Sequence, residues 1–140
     1  MLIETKVKVS RVIDGKTKRL IETYVTDNEL FSEAEYKIVS LLSQEQTEGI
    51  VESSEVQSLR ISPIKEIDEQ SYDESLPSFM VTLRDLFHDD EGNEKQLKYK
   101  VLIWAENLTD ANSRALALSH QGYDMLIEGI KQVDYIYLKD

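Results

Sequence analysis

Sliding the chain against itself by 77 residues aligns its turn, cap and strand signals without a gap, and no other feature narrows the possible folds as much. Gly15 meets Gly92, Lys18 meets Lys95, Leu20 meets Leu97, Glu29 meets Glu106 and Ala34 meets Ala111. Further along, Gln44 meets Gln121, Ile50 meets Ile127 and Val56 meets Val133. Identity between the halves is thin. The argument rests on signals of one kind recurring at one place.

Each half opens on alternation. Val7, Val9 and Ile13 share a parity, as do Phe79, Val81 and Leu83, which fits strands with one buried face. Ile13-Asp14-Gly15-Lys16 and Asp90-Glu91-Gly92-Asn93 follow as hairpin turns, with glycine supplying the positive φ. Return strands are expected over residues 18–26 and 95–104. The second places Leu97, Tyr99, Val101 and Ile103 on one face, with Lys98 and Lys100 opposite.

A helix start comes next in each half. Ser32 and Glu35 have the spacing of a capping box, and Phe31 stands where it can staple the first turn. Ala34, Ile38, Leu41 and Leu42 then share one helical face. In the second half Thr109 is the expected cap, with Asp110 favoured near the helix N-terminus. Ala111, Ala115 and Leu118 form the apolar face, and Gly122 is the expected stop. Closing strands are expected over 55–61 and 132–138. Residues 123–131, more apolar than their counterparts 46–54, read as a further helical turn.

Between Pro63 and Pro77 the chain is acidic and without period, which reads as an exposed linker. The expected division is a first ββαβ repeat over 1–63, an acidic linker over 64–77 and a second ββαβ repeat over 78–140. A half of about 63 residues with one helix has too little core to stand comfortably alone. The expected fold class is therefore α+β. Tandem duplicated ββαβ units would build a mainly antiparallel six-stranded sheet arrangement, with both helices packed on it. Whether the strands form one continuous sheet or two facing ones is left open at this level.

The run Tyr24-Val25-Thr26-Asp27-Asn28-Glu29-Leu30-Phe31-Ser32-Glu33-Ala34-Glu35 resembles the strand followed by Phe-Thr-Glu-Ala-Glu of an uncharacterised family. Its members are small duplicated intracellular proteins of Bacteroidetes and their phages. Ala105-Glu106-Asn107-Leu108-Thr109-Asp110-Ala111 echoes the family's second helix entry. The resemblance implies lineage and fold and carries no assigned activity.

Charge and composition exclude several classes. No cysteine is present, which removes disulfides, thiolate metal sites and cysteine nucleophiles. No window approaches the roughly 18 apolar residues of a membrane span. The first residues, Met1-Leu2-Ile3-Glu4-Thr5-Lys6, lack the pattern of a secretory signal, so a cytoplasmic location is expected. A net charge of −11 opposes non-specific binding to nucleic acid, yet the charge is uneven. Lys6, Lys8, Arg11, Lys16, Lys18 and Arg19 make residues 1–21 about +4, against −15 for the rest. That basic hairpin reads either as a binding surface or as a solvated edge kept from aggregating by its lysines.

No motif of an active site stands out. His88-Asp89-Asp90 lacks further ligands at metal spacing and reads as an exposed turn, and His120 reads as a cation near a helix C-terminus. Asp27, Glu29 and Glu106 flank helix starts, where carboxylates are electrostatically favoured. Gly-rich phosphate loops, nucleophile elbows and His-Glu-x-x-His are missing. No cofactor, metal or catalytic residue is expected, and the chain reads as a non-enzyme.

Trp104 shares a parity with Lys98, Lys100 and Leu102, so it is either a core or interface residue, or a stacking platform beside two cations. Three functions stay open. The first is a non-catalytic module that binds a protein partner or itself. The second is a single-stranded nucleic-acid accessory protein using the basic hairpin and the Trp104 face. The third is an acidic decoy that captures a basic partner.

Overall fold

In the computed structural model, which describes residues 1–119 and 125–139, the alternating segments form two long hairpins. Strands β1 (Leu2–Ile13) and β2 (Lys16–Asp27) are joined by Asp14 and Gly15, at φ 52° and 75°. Two successive positive φ values make the tight turn whose twist matches the flanking strands. Helix α1 (Phe31–Thr47), β3 (Val51–Ile61) and the two-residue β4 (Glu66–Ile67) follow. The second hairpin pairs β5 (Ser78–His88) with β6 (Glu94–Trp104), and then come α2 (Leu108–Ser119), β7 (Met125–Val133) and β8 (Tyr135–Leu138).

The second turn differs from the first by one residue. Asp89 and Asn93 close it, Gly92 takes φ 80°, and the Asp89 carboxylate accepts from the backbone N–H of Glu91 (3.0 Å) and Asn93 (2.8 Å).

Both helices begin earlier than their serine and threonine suggest. The N-cap of α1 is Leu30, whose backbone N–H donates to Glu33 Oε1 at 3.0 Å. Leucine has no side-chain acceptor, so one arm of the capping box forms and Ser32 lies inside the first turn. In α2 the cap is Asn107, whose Oδ1 accepts from the Asp110 N–H at 2.9 Å, and Asp110 in turn accepts from the Glu106 N–H at 3.0 Å. That bond holds the Asp110 carboxyl below its ordinary range.

The chain divides into two compact units, one built from Met1–Ser62 with the residues from Tyr135 onward, the other from Pro63–Asp134. The single six-stranded antiparallel sheet expected from the sequence is not what forms. Each unit has its own four-stranded mixed sheet, ordered β3-β1-β2-β8 in the first and β4-β6-β5-β7 in the second. The hairpins and their third strands are antiparallel, while β8 joins β2 and β4 joins β6 in parallel.

Three local readings change with this topology. The segment expected as an exposed linker carries β4, and Ile64 and Ser71 within it are buried. The closing strand expected over 132–138 is cut at Asp134, its start ending β7 and its remainder forming β8. The expected helical turn over 123–131 is extended chain from Met125 onward, while His120, Gly122 and Tyr123 lie outside the described residues.

The constant offset does not persist either. Thr26 and Ile103, 77 residues apart, pair with Ile3 and Phe79, which are 76 apart. In the third strands the partners of Ile3 and Phe79 are Ile61 and Gln132, 71 apart.

Each sheet buries the face toward its helix. Val7, Val9, Tyr24 and Val51 pack with Ile38 and Leu42 in the first unit. Phe79, Val81, Leu83, Val101 and Ile103 pack with Ala111 and Ala115 in the second. Burying each large aliphatic side chain contributes about 1.5–3 kcal/mol, so these clusters dominate the stability of both units. Among the described residues, no helix is long and apolar enough to cross a membrane.

Candidate partner-binding face

Strand pleat decides where each cation of the chain goes, because alternate side chains point to opposite faces. In β1 the odd positions Val7 and Val9 face α1, so Lys6 and Lys8 stand on the helix-free face. Ser10 pairs with Arg19, which joins them there, as does Ile21, the partner of Lys8 and 72% exposed. Arg11, Lys18 and Lys16 fall on the other face, toward the hairpin tip. The six basic residues of the first hairpin therefore split three and three, and they do not form one patch.

Arg11 is engaged. Its Nε and Nη2 donate to the two Glu22 oxygens at 2.7 and 2.8 Å, Nη1 donates to Glu45 at 3.0 Å, and Nη2 reaches the Tyr24 hydroxyl at 3.3 Å. The hydroxyl itself donates to Glu22 at 2.6 Å. Burial pushes the Glu22 carboxyl up, but the bonds from Arg11 and Tyr24 outweigh it and hold the group below its ordinary value. Burial, and then the hydrogen bond to Glu22, push the Tyr24 phenol up. This paired cluster is a structural device beneath the end of α1, and it removes Arg11 from the candidate contacts.

A second polar cluster ties β1 to β3. Glu4, 1% exposed, accepts from Arg60 Nε and Nη2 at 3.0 and 2.8 Å and from Ser62 Oγ at 2.9 Å. Arg60, held protonated by that bond, is thereby committed to the fold.

In the second unit the helix-free face is more strongly basic. Phe79, Val81 and Leu83 face α2, so Met80, Thr82, Arg84 and Leu86 point away. Their partners bring Lys100 opposite Thr82, Lys98 opposite Arg84 and Lys131 opposite Met80. Four cations thus share one face of three adjacent strands. Lys98 pairs with Glu128 at 3.2 Å, and among the described residues Arg84, Lys100 and Lys131 have no carboxylate at ion-pair distance. The buried Nε of Arg84 has no hydrogen-bond partner there. Exposed Leu86 and Leu126 stand among these charges.

Lys98 and Lys100 were legible from alternation alone, but Arg84 and Lys131 were not picked out. Arg84 could have been found by extending the parity of Phe79, Val81 and Leu83 by one residue. Lys131 could not, because its segment read as helical.

Trp104 is not part of an open face. It is 3% exposed, meets Tyr72 edge to face with centroids 4.9 Å apart, and its backbone N–H donates to Ser71 Oγ at 3.1 Å. The acidic segment supplies both contacts. A ring covered in this way offers no free surface for a base to stack on.

One family model matches the chain, over residues 1–137, and its description is Domain of unknown function (DUF4494). No curated protein and no solved structure matches.

Proposed function

We propose that this chain, which belongs to the DUF4494 family, is a non-catalytic interaction module that docks an acidic protein surface on the helix-free face of its second sheet. The observation that carries this reading is the set Arg84, Lys98, Lys100 and Lys131 on one sheet face, with one ion pair to them among the described residues. Cations around exposed Leu86 and Leu126 have the make-up of a polar rim around apolar contacts. A second copy is one available partner, since the chain beyond residue 21 carries a net charge of −15. Lys6, Lys8 and Arg19 with Ile21 give the first sheet a smaller face of the same kind.

A second reading is contact with a nucleic-acid backbone. Lysines two apart on a strand stand about 6.6 Å apart, which suits phosphate spacing, and the same four cations favour it. The burial of Trp104 removes the stacking half of that idea. The acidic-decoy reading keeps only the net charge in its favour.

Two finer points belong with this proposal. The element order of the two halves is alike, and a bulge follows Lys6 in one and Thr82 in the other; both support descent from one duplicated unit. The absence of cysteine and the resemblance to intracellular Bacteroidetes and phage proteins support a cytoplasmic location.

Size exclusion with light scattering, from low to physiological salt, tests association between copies. Titration with an acidic leucine-containing peptide and with labelled single-stranded and duplex oligonucleotides covers the other partners. Association or peptide binding that is lost in Arg84→Glu and Lys98→Glu supports the protein reading. Binding to oligonucleotides alone replaces it with the second. A monomer that ignores every probe removes both.

A further inference from the structure

On the helix-free face of the second sheet, small side chains occupy one point and cations the positions next to it. Thr82 on β5 pairs with Lys100 on β6 and with Gly129 on β7. One step along the same face Arg84 pairs with Lys98, and one step the other way Met80 pairs with Lys131. Thr82 and Gly129 therefore form a low floor, ringed by the four cations. Facing positions stand about 5 Å apart and successive ones on a face about 6.6 Å, within reach of lysine and arginine stems.

The local backbone gives no reason for glycine at position 129. Its φ lies outside the left-handed region, and a Cβ there would meet no atom within 4 Å. The adjacent bulge leaves Glu128 as the unpaired residue, and without a positive φ it does not call for glycine. Glycine inside a strand weakens it, and its use is to let another molecule approach the backbone closely. Gly129 is exposed, so the approach is from solvent.

Charge points to what approaches. Among the described residues, Glu128 is the one carboxylate at ion-pair distance from these cations, 3.2 Å from Lys98. A phosphate monoester carries about −1.5 to −2 at neutral pH and three acceptor oxygens, and so answers the remaining three cations better than a second carboxylate does. The ring is also closed. Beyond Lys100 the next residue of β6 on this face is buried Leu102, and beyond Arg84 on β5 comes exposed Leu86. A nucleic-acid backbone is held by charges that follow it along a groove. One ring with leucine beside it suits a single phosphate on a side chain with apolar neighbours.

We infer that this face recognises a phosphorylated serine or threonine side chain of a protein partner, with the phosphate over Thr82 and Gly129 among Arg84, Lys98, Lys100 and Lys131. The inference rests on the docking reading of the same face and narrows it to one kind of acidic partner. Glu128 competes with the phosphate for Lys98.

Fluorescence anisotropy of the full chain with a labelled, capped Leu-Ala-phosphoserine-Ala-Leu peptide tests it, against the same peptide with glutamate or serine at the centre. The phosphopeptide should bind at least tenfold tighter than the glutamate form, and Lys100→Gln or Lys131→Gln should weaken it at least threefold. Gly129→Val should weaken it at least fivefold with the thermal midpoint unchanged or raised, which separates a blocked floor from a damaged fold. Glu128→Gln should tighten it at least threefold, while Glu91→Gln in the hairpin turn leaves it within about twofold. Equal affinity for the phosphoserine and glutamate forms overturns the inference and leaves docking of an acidic surface standing. Binding of none of the three also overturns it, and the docking reading then stands or falls on association between copies. Tighter binding of a short single-stranded oligonucleotide overturns both and gives the face to nucleic acid. Unchanged phosphopeptide affinity in Gly129→Val puts the phosphate elsewhere and overturns the site.

Discussion

Arg84 and Lys98 stand directly opposite one another across β5 and β6, two like charges on neighbouring strands of which, among the described residues, Lys98 alone meets a carboxylate, Glu128 at 3.2 Å. Like charges in that position oppose strand pairing by a few tenths of a kcal/mol up to about 1 kcal/mol. The sheet keeps a local conflict that an anionic partner would relieve, as binding surfaces often do at some cost in stability.

The first prediction follows from that conflict. Arg84→Thr, which also removes the unpartnered Nε, should raise the stability of the second unit by a few tenths of a kcal/mol in urea denaturation at low salt. The gain should shrink in about 1 M salt, where screening acts within about 3 Å. A loss of stability at low salt would show that the repulsion is not what the sheet feels.

A second prediction concerns Arg11. Its removal leaves Glu22, with a side chain 13% exposed, without its main partner. Arg11→Met should cost about 2–3 kcal/mol, because an uncompensated carboxylate stays in a poorly solvated place. The double variant Arg11→Met/Glu22→Leu should recover at least half of that loss. Urea midpoints of the four members of the cycle check it, and purely additive losses would contradict the pairing.

The same cluster sets a pH dependence. Glu22 has its carboxyl lowered in the folded state from an ordinary 4.5, so the unfolded chain binds the proton more readily. Its stabilising contribution is fully present above about that value and is lost as pH falls through the lower folded value. Melting temperature should therefore fall more steeply below pH 4.5 in the native chain than in Glu22→Gln. Parallel curves from pH 6 to pH 3 would rule this contribution out.

Trp104 provides a fourth. Buried against Tyr72, with its backbone N–H bonded to the Ser71 hydroxyl, it should emit at the blue end of the tryptophan range and resist acrylamide. Oligonucleotide should not quench it, even if binding occurs on the nearby lysines. Trp104→Ala should cost about 3–5 kcal/mol, the usual loss for a large buried aromatic ring. Quenching by a bound strand would place the ring on an open face after all.

Much of the fold was legible because it is encoded within short windows. Val7 and Val9, or Phe79 and Val81, identify a buried strand face by period two, and Asp14-Gly15 identifies a hairpin by its φ requirements. Ala34, Ile38 and Leu42 identify a helix face, and all three are buried. The start of each helix was displaced by two residues because Leu30 and Asn107, rather than Ser32 and Thr109, precede the first turn. Of the candidate site, Lys98 and Lys100 were visible from alternation. The pairing that places them beside Arg84 and Lys131 was not.

The like elements 77 residues apart with which the reading of this chain began still mark the return strands and the helices. By itself the sequence determined the hairpins, the helices, their buried faces and the uneven charge, since each depends on neighbours within a few residues. Only the tertiary structure decided that Glu66–Ile67 completes the second sheet and Tyr135–Leu138 the first. It also decided that Arg11 would be consumed in an ion-pair cluster and Trp104 covered by Tyr72. The physical reason is that strands of two and four residues are recruited by backbone hydrogen bonds, which carry no side-chain signature, and burial depends on which distant segment arrives to supply it.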